Sequence, residues 1–301
     1  MKIAICDPID KKALEKLSSL GLDVKDLSSI DKTELVERVK DADILVVRSA
    51  TKVKGELLDA LESAKLIIRG GVGLDNIDIE GAEKKGIKVV NTPEASSVSV
   101  AELVFAHIFA IYRHVVRGTV GIKEGKWEKK ALKGNEIFGK TIGIIGMGRI
   151  GREVAIRAKA LGMTVLGYDV VDFPEEFAEK VSLDELYERS DIITLHVPLI
   201  PATKHMINKD SISKMKDGVV IINCSRGGIV DEVALYEALK DGKVKGVGLD
   251  VFEKEPPERS PLFELDNVTL TPHIGASTKE AQAKIGVEIV NKVKAFIEGK
   301  L

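Results

Sequence analysis

The first residues that could perform chemistry are a glycine-rich turn and the acid that follows it. Gly146, Gly148 and Gly151 have the spacing GxGxxG, and Asp169 ends the next apolar stretch. In such a turn the first glycine permits a tight bend, the second lets a pyrophosphate approach the backbone, and the third lets a helix pack against the strand. A carboxylate at the end of the next strand can accept hydrogen bonds from ribose hydroxyls. The pattern therefore predicts a dinucleotide site.

Three further ionisable residues, Arg226, Glu255 and His273, have complementary chemistry. Hydride transfer to a ketone builds negative charge on oxygen, so it needs a proton donor, and histidine is the side chain that ordinarily titrates near pH 7. A carboxylate can fix the tautomer of a histidine, and an arginine can bind a substrate carboxylate through two parallel hydrogen bonds. Taken singly, His273 could be a core histidine, Glu255 a solvated acid and Arg226 a member of a surface ion pair. Together with a dinucleotide motif they favour a catalytic interpretation.

Short apolar runs that alternate with helical patterns must position these residues. The runs predict strands at 2–6, 43–47, 66–69, 87–90, 142–145, 164–167, 191–195, 218–222, 246–250 and 268–270. The alternation indicates an α/β protein with parallel sheets that helices cover on both faces. Because ligands bind beyond the carboxyl ends of such strands, we expect the polar residues that follow them to share one crevice.

Residues 99–138 differ from this pattern. Ser99 and Glu102 match a capping box at the start of a helix over 100–114 that is apolar nearly all round, so we expect it to be buried between domains or subunits. Residues 118–138 have poor periodicity and are expected to form an extended arm. We expect His107 and His114 to be packing or interface residues.

Composition excludes several classes of function. The chain has 301 residues, which suits two domains, 44% hydrophobic residues and a net charge of −2. The balanced charge gives no case for nucleic acid or membrane binding, and the histidine spacing fits no metal site. We expect Cys6 and Cys224 to be free thiols in a cytoplasmic protein.

The sequence resembles the D-isomer-specific 2-hydroxyacid dehydrogenases over essentially its whole length. The resemblance rests on six motifs: RGGVGLDNID (69–78), SVAEL (99–103), GMGRIG (146–151), NCSRGGIVDE (223–232), GLDVFEKEP (248–256) and TPHIGAST (271–278). It implies two doubly wound parallel-sheet domains, in which a Rossmann-type cofactor domain (98–272) is inserted in a discontinuous flavodoxin-like substrate domain (1–97 and 273–301). It also implies a homodimer through residues 99–138. Longer members have C-terminal regulatory domains, and since this sequence ends at Leu301 we expect no regulation of that kind.

The resemblance also assigns roles to residues. It implies that Arg226 binds the carboxylate and carbonyl of a 2-oxo acid, that His273 is the general acid/base, and that Glu255 holds His273. The expected cofactor contacts are Val72, Gly146, Gly148, Arg149, Ile150, Gly151, Asp169, Val197, Cys224, Ser225, Asp250, Gly275 and Ala276. The expected substrate contacts are Arg48, Ser49, Gly73 and Arg226, with no metal.

These assignments lead to one expected function and two alternatives. Asp169 would repel a 2′-phosphate, so we expect NAD rather than NADP. Arg48 matches the phosphate-side arginine of members that act on a phosphorylated substrate, so we expect NAD-dependent oxidation of a phosphorylated D-2-hydroxy acid and its reversal. The alternatives are a glyoxylate/hydroxypyruvate reductase and, in another class, an NAD-sensing corepressor-like binding protein.

Overall fold

The chain divides into two compact units. The structure, a computed structural model, describes residues 1–301 except for the side chain of Lys32. The first unit comprises Met1–Ser97 and Ala276–Leu301, and the second comprises Val98–Gly275. The expected return at residue 273 differs from this division by three residues. His273 and Gly275 group with the second unit because their hydrogen bonds go to Glu255 and Asp250.

The first unit contains a five-stranded parallel sheet with the order β2-β1-β3-β4-β5. Its core lies on both faces, because neighbouring residues of β3 such as Ile44 and Leu45 point to opposite sides and are both fully buried. The strands are β1 (Lys2–Ile5), β2 (Asp23–Asp26), β3 (Ile44–Val47), β4 (Leu66–Arg69) and β5 (Lys88–Asn91). The helices are α1 (Lys11–Ser19), α2 (Lys32–Arg38), α3 (Glu56–Asp59), α4 (Ile79–Lys84) and the last helix of the chain, α11 (Lys279–Ile297).

The second unit contains a seven-stranded parallel sheet with the order β12-β11-β10-β9-β6-β7-β8. The strands are β6 (Thr141–Ile145), β7 (Thr164–Tyr168), β8 (Glu179–Lys180), β9 (Ile192–Leu195), β10 (Val219–Asn223), β11 (Val244–Leu249) and β12 (Val268–Leu270). The helices are α5 (Ser97–Tyr112), α6 (Val115–Lys123), α7 (Arg149–Ala160), α8 (Leu183–Arg189), α9 (Lys209–Lys214) and α10 (Glu232–Lys240), with a 3-10 turn at Pro261–Glu264.

Both strand orders confirm the predicted doubly wound α/β fold. The first order is flavodoxin-like and the second is Rossmann-type. Each order reverses direction once, between β1 and β3 in the first sheet and between β6 and β9 in the second. These reversals are the points at which ligands bind in such sheets.

Two predictions about residues 99–138 are wrong. The long helix already begins at Ser97, so Ser99 lies in its first turn, where its hydroxyl donates to the carbonyl oxygen of Gly275 at 2.7 Å. The expected extended arm instead starts with helix α6, whose apolar side chains Val115, Val116, Val120 and Ile122 are all exposed. Exposed apolar positions conceal the periodicity that a buried helical face would show.

Within the described chain, no single helix is long and apolar enough to cross a membrane. The two helices Ser97–Tyr112 and Val115–Lys123 meet at an angle of 63°, and only together do they have the length and composition of a membrane span. Most of the apolar side chains of the first member, including Val104, Ile108 and Ile111, are buried in the core of the second unit.

Candidate active site

The glycine turn lies at the reversal point of the second sheet. Gly146 follows β6 and His196 follows the neighbouring strand β9. Gly146 has a φ of +99°, and a Cβ atom there would lie 2.5 Å from the carbonyl oxygen of His196. Only glycine fits this position, because both the backbone angle and the contact exclude a side chain.

The other two glycines leave a clear approach to the start of α7. A Cβ atom at Gly151 would lie 2.1 Å from the carbonyl oxygen of Gly146, so helix and turn pack closely there. At Gly148, by contrast, no described atom outside the adjacent residues and the helix's own first turn lies within 4 Å of the Cβ position, and no side chain caps the helix. The first-turn residues Arg149 and Ile150 therefore begin a helix whose N–H groups can bind a phosphate. These features fit a dinucleotide pyrophosphate.

Asp169 bonds back to the glycine turn. Its Oδ2 accepts a hydrogen bond from the backbone N–H of Met147 at 2.7 Å, and its Oδ1 accepts one from Val171 at 3.0 Å. The first cation that follows Asp169 in the chain, Lys180, pairs with Asp172 at 2.6 Å, so its charge is neutralised. The site therefore offers an acceptor to ribose hydroxyls and no uncompensated cation from residues 170–172 to a 2′-phosphate.

The Arg226 loop is shaped by Asn223, the last residue of β10. The Asn223 side chain accepts from the backbone N–H and hydroxyl of Ser225 and donates to the carbonyl oxygen of Arg226 at 2.8 Å. Gly227 packs against the backbone of Phe252, where a Cβ atom would lie 1.7 Å from the carbonyl oxygen. These contacts bring the Arg226 loop next to the loop that begins at Phe252.

His273 and Glu255 form a hydrogen-bonded pair. Nδ1 of His273 lies 2.7 Å from Oε2 of Glu255, and Oε1 of Glu255 accepts from the N–H of Phe252. The largest single effect on the pKa of Glu255 is burial, which raises it. The opposing effects are together larger, so the net pKa is lowered: they come from the hydrogen bond and charge of His273, the N–H of Phe252 and the charge of Arg226. Glu255 therefore stays ionised, and the His273 side chain remains 36% exposed. The arrangement holds one ring nitrogen and leaves Nε2 for a reacting group.

Asp250, Cys224 and Val197 also lie in the second unit. Asp250 is buried, and its Oδ2 accepts from the N–H of Gly275 at 2.8 Å. Burial, with a contribution from the charge of Asp250, raises the pKa of Cys224, so its thiol stays protonated. Val197 follows His196, and burial lowers the pKa of His196 to about 3, so that this ring is neutral.

The other predicted contacts belong to the first unit: Arg48, Ser49, Val72, Gly73 and Ala276. Arg48 follows β3 at the reversal point of the first sheet, and its backbone N–H donates to Oδ2 of Asp7 at 2.6 Å. Its Nη1 donates to Oε1 of Gln282, and its buried Nε has no hydrogen-bond partner among the described residues. Nε2 of Gln282 in turn donates to the carbonyl oxygen of Ala276.

Sequence reasoning missed three contacts in and around these sites. Gln282 supports Arg48, although the two residues are 234 positions apart in the chain. His205 pairs with Glu253 at 3.0 Å. His107 was expected to be a packing or interface residue, and the hydrogen bonds that both of its ring nitrogens form were not foreseen. No sequence signal marks such long-range partners. Among the described residues, no cluster of histidine, cysteine or acidic side chains could hold a metal ion.

The fold and the site define a class of protein, the α/β dehydrogenases that bind a dinucleotide on a Rossmann-type sheet. Residues 105–275 match the family model described as D-isomer specific 2-hydroxyacid dehydrogenase, NAD binding domain. The chain belongs to this family.

Two similar proteins and a solved structure support this family assignment. The chain is 52% identical to a hydroxypyruvate reductase of Thermotoga maritima, over 97% of each chain. It is 48% identical to a D-3-phosphoglycerate dehydrogenase of Methanocaldococcus jannaschii, over 100% of this chain but only 58% of that protein. It therefore spans little more than half of that relative. The structure of a D-lactate dehydrogenase from Aquifex aeolicus complexed with NAD and lactic acid matches 100% of this chain and 96% of that chain with a TM-score of 0.86 and 37% identity.

Proposed function

We propose that the protein oxidises a D-2-hydroxy acid with NAD and catalyses the reverse reduction, with His273 as the general acid/base. The observation that carries the proposal is the bond between His273 and Glu255 in the unit that also holds the glycine turn. Bound NAD supplies the hydride acceptor, and NADH the donor. Gly146, Gly148, Gly151 and Asp169 would hold this cofactor.

The side chains of the second unit then have distinct tasks. Glu255 accepts a hydrogen bond from Nδ1–H of His273, which fixes the tautomer and leaves Nε2 to take or give the proton of the substrate oxygen. Arg226 binds the carboxylate of the acid through its fork of N–H groups, which orients the carbon that exchanges the hydride. Its backbone is already held by Asn223, so little ordering is left for binding.

The substrate that we propose is D-3-phosphoglycerate, which would be oxidised to 3-phosphohydroxypyruvate in serine biosynthesis. Such a molecule has two anionic ends and needs a second cationic group besides Arg226. Arg48 supports this choice because its side chain is partly buried and its buried Nε lacks a partner among the described residues. A phosphate in contact with this guanidinium would offset the cost of burying it.

A reductase for hydroxypyruvate or glyoxylate is the second candidate. The specific observation in its favour is the 52% identity with the hydroxypyruvate reductase, which extends over nearly the whole of both chains. Such substrates have one anionic end and need only Arg226.

Steady-state kinetics with 3-phosphoglycerate, hydroxypyruvate and glyoxylate separate the two candidates. The first predicts the highest kcat/KM with the phosphorylated acid and a loss of ~100-fold for it alone in Arg48→Ala, the scale of a charge-assisted contact. Lys52→Ala, which removes an exposed lysine of the same loop, is the matched control and should change little. The highest kcat/KM with hydroxypyruvate or glyoxylate, together with little effect of Arg48→Ala on either, would favour the reductase, and no turnover with any acid would favour a binding protein.

We further propose that the second unit is the cofactor domain, that the first is the substrate domain, and that the protein is a cytoplasmic homodimer. A group of exposed apolar side chains supports a self-contact: Val115, Val116, Val120, Ile122, Trp127 and Phe138. Four of them lie on the one helix α6, and exposed apolar surface that is contiguous marks interaction sites. A monomeric mass in light scattering would contradict the dimer.

A further inference from the structure

One buried carboxylate holds the loop that carries His273. Asp250 is 1% exposed and accepts three hydrogen bonds. Its Oδ1 accepts from the N–H of Ile274 at 2.8 Å and from the hydroxyl of Thr271 at 2.6 Å, and its Oδ2 accepts from the N–H of Gly275. His273 lies between these donors with a φ of +53°, a left-handed conformation that residues other than glycine seldom adopt. The bonds to Asp250 on either side therefore stabilise the turn that aims His273.

The Thr271 hydroxyl is in turn bonded to His107, a residue of α5 that is 3% exposed. Nε2 of His107 lies 3.1 Å from Oγ1 of Thr271, and Nδ1 lies 2.8 Å from Oγ1 of Thr269. A hydroxyl has one proton, and that of Thr271 goes to Asp250. Thr271 must therefore accept from Nε2–H of His107. Nδ1 of His107 is then unprotonated and accepts the proton of the Thr269 hydroxyl, for which it lies much closer, at 2.8 Å, than the other acceptor, the carbonyl oxygen of Val247 at 3.4 Å. This one tautomer of His107 satisfies its bonds to both threonines.

The backbone of β11 makes room for this histidine. A Cβ atom at Gly248 would lie 2.6 Å from Cβ of His107, so α5 can approach the strand only because residue 248 is glycine. Ser99, two turns earlier on the same helix, donates to the carbonyl oxygen of Gly275. Helix α5 thus holds the His273 loop directly through Ser99 and indirectly through His107.

We propose that His107 is a positioning residue, which orients the Thr271 hydroxyl toward Asp250 and so fixes the turn that aims His273. This inference rests on the proposed function, in which His273 transfers the proton. It assigns the effect of His107 to one donor, Nε2–H, and not to the volume of the ring.

Three substitutions of His107 separate the donor from the volume. A glutamine side chain can place its Nε2 amide where the imidazole Nε2 lies, an asparagine reaches only the Nδ1 position, and a leucine fills space without a donor. We expect H107Q to keep kcat within about threefold of wild type. We expect H107N and H107L to lower kcat by roughly 10- to 100-fold, the scale of a supporting hydrogen bond or a small misplacement. KM for the 2-oxo acid should stay nearly constant, because Arg226 is untouched.

Hydrogen exchange supplies a second measurement that needs neither cofactor nor substrate. In peptides that cover residues 271–276, the amides of Ile274 and Gly275 should exchange faster in H107N and H107L and at the wild-type rate in H107Q. Unchanged exchange and kcat in H107N and H107L would overturn the proposal, as would equal losses in all three variants, which would make ring volume the cause. If wild type turns over no 2-hydroxy acid, the proposed function fails, while the exchange pattern still decides whether His107 holds the loop.

Discussion

Gly227 lies so close to Phe252 that a Cβ atom on residue 227 would be 1.7 Å from the carbonyl oxygen of Phe252. The contact joins two loops of the second unit, one with Arg226 and the other leading to Glu255. The relative position of the arginine and the histidine–glutamate pair therefore depends on a glycine that contacts neither substrate nor cofactor in our proposal.

Gly227→Ala should separate these loops. The clash is with backbone, which cannot move aside as a flexible side chain would, so the Arg226 loop must shift. We expect kcat/KM for the 2-oxo acid to fall ~100-fold, the cost of a displacement of about 1 Å in an active site. Gly118→Ala in α6 is the control, because its nearest described atom outside its own helix is 3.5 Å away, and it should keep wild-type kinetics. Wild-type kcat/KM in Gly227→Ala would show that the loops are not rigidly coupled.

Gly146→Ala should lower the stability of the fold, whereas Gly148→Ala should weaken NADH binding. Residue 146 has a positive φ and a backbone oxygen 2.5 Å from the Cβ position, so alanine there should lower the free energy of unfolding by ~2 kcal/mol or more. The Cβ position of residue 148 is open, so alanine there should change stability by no more than about 0.5 kcal/mol. It should nevertheless weaken NADH binding, because it occupies the pyrophosphate approach. Denaturant unfolding and NADH titration by fluorescence give both numbers, and unimpaired NADH binding in Gly148→Ala would contradict this cofactor site.

Asp169 should make the enzyme prefer NAD. Its carboxylate is placed by Met147 and Val171, and Lys180 is already paired with Asp172. We expect kcat/KM with NAD to exceed that with NADP by at least ~10-fold, the effect of about 1.4 kcal/mol of repulsion. Asp169→Asn keeps an acceptor oxygen and removes the charge, so it should lower the ratio of kcat/KM with NAD to kcat/KM with NADP. Comparable efficiency of wild type with both cofactors would refute the assignment.

His196 should make stability depend on pH. Burial lowers its pKa to about 3, against about 6.5 in the unfolded chain, so below pH 6.5 the unfolded chain binds a proton that the folded protein does not. The free energy of unfolding should therefore fall between pH 6.5 and pH 3, with a share from His196 of up to about 1.4 kcal/mol per pH unit. Glutamine can retain the bond from His196 to Thr194. The free energy of unfolding of His196→Gln should therefore depend less steeply on pH than that of wild type, which guanidinium unfolding at pH 7.5, 6.0 and 5.0 measures. An identical dependence in both proteins would mean that His196 takes up a proton in the folded state.

The fold was largely predictable, because most strands are apolar runs buried on both faces. Strands β2 and β8 were not predicted. Strand β2, Asp23–Asp26, is a polar edge strand with no buried residue, and β8 is an edge strand of only two residues. The glycine turn and the acid after β7 were also readable, since local spacing determines their geometry. The partners of His107, Ser99 and Arg48 were not, because each lies more than 150 positions away and meets them only through the fold.

The most direct test of the account is the turnover of His273→Asn. Asparagine tolerates the positive φ of residue 273 and can keep a hydrogen bond to Glu255, but it lacks the nitrogen that we propose to transfer the proton. With a saturating 2-oxo acid and NADH, we predict a kcat ~10²- to 10⁴-fold below wild type, the usual share of a general acid/base, with the Kd for NADH unchanged. A kcat close to that of wild type would contradict the assignment of His273.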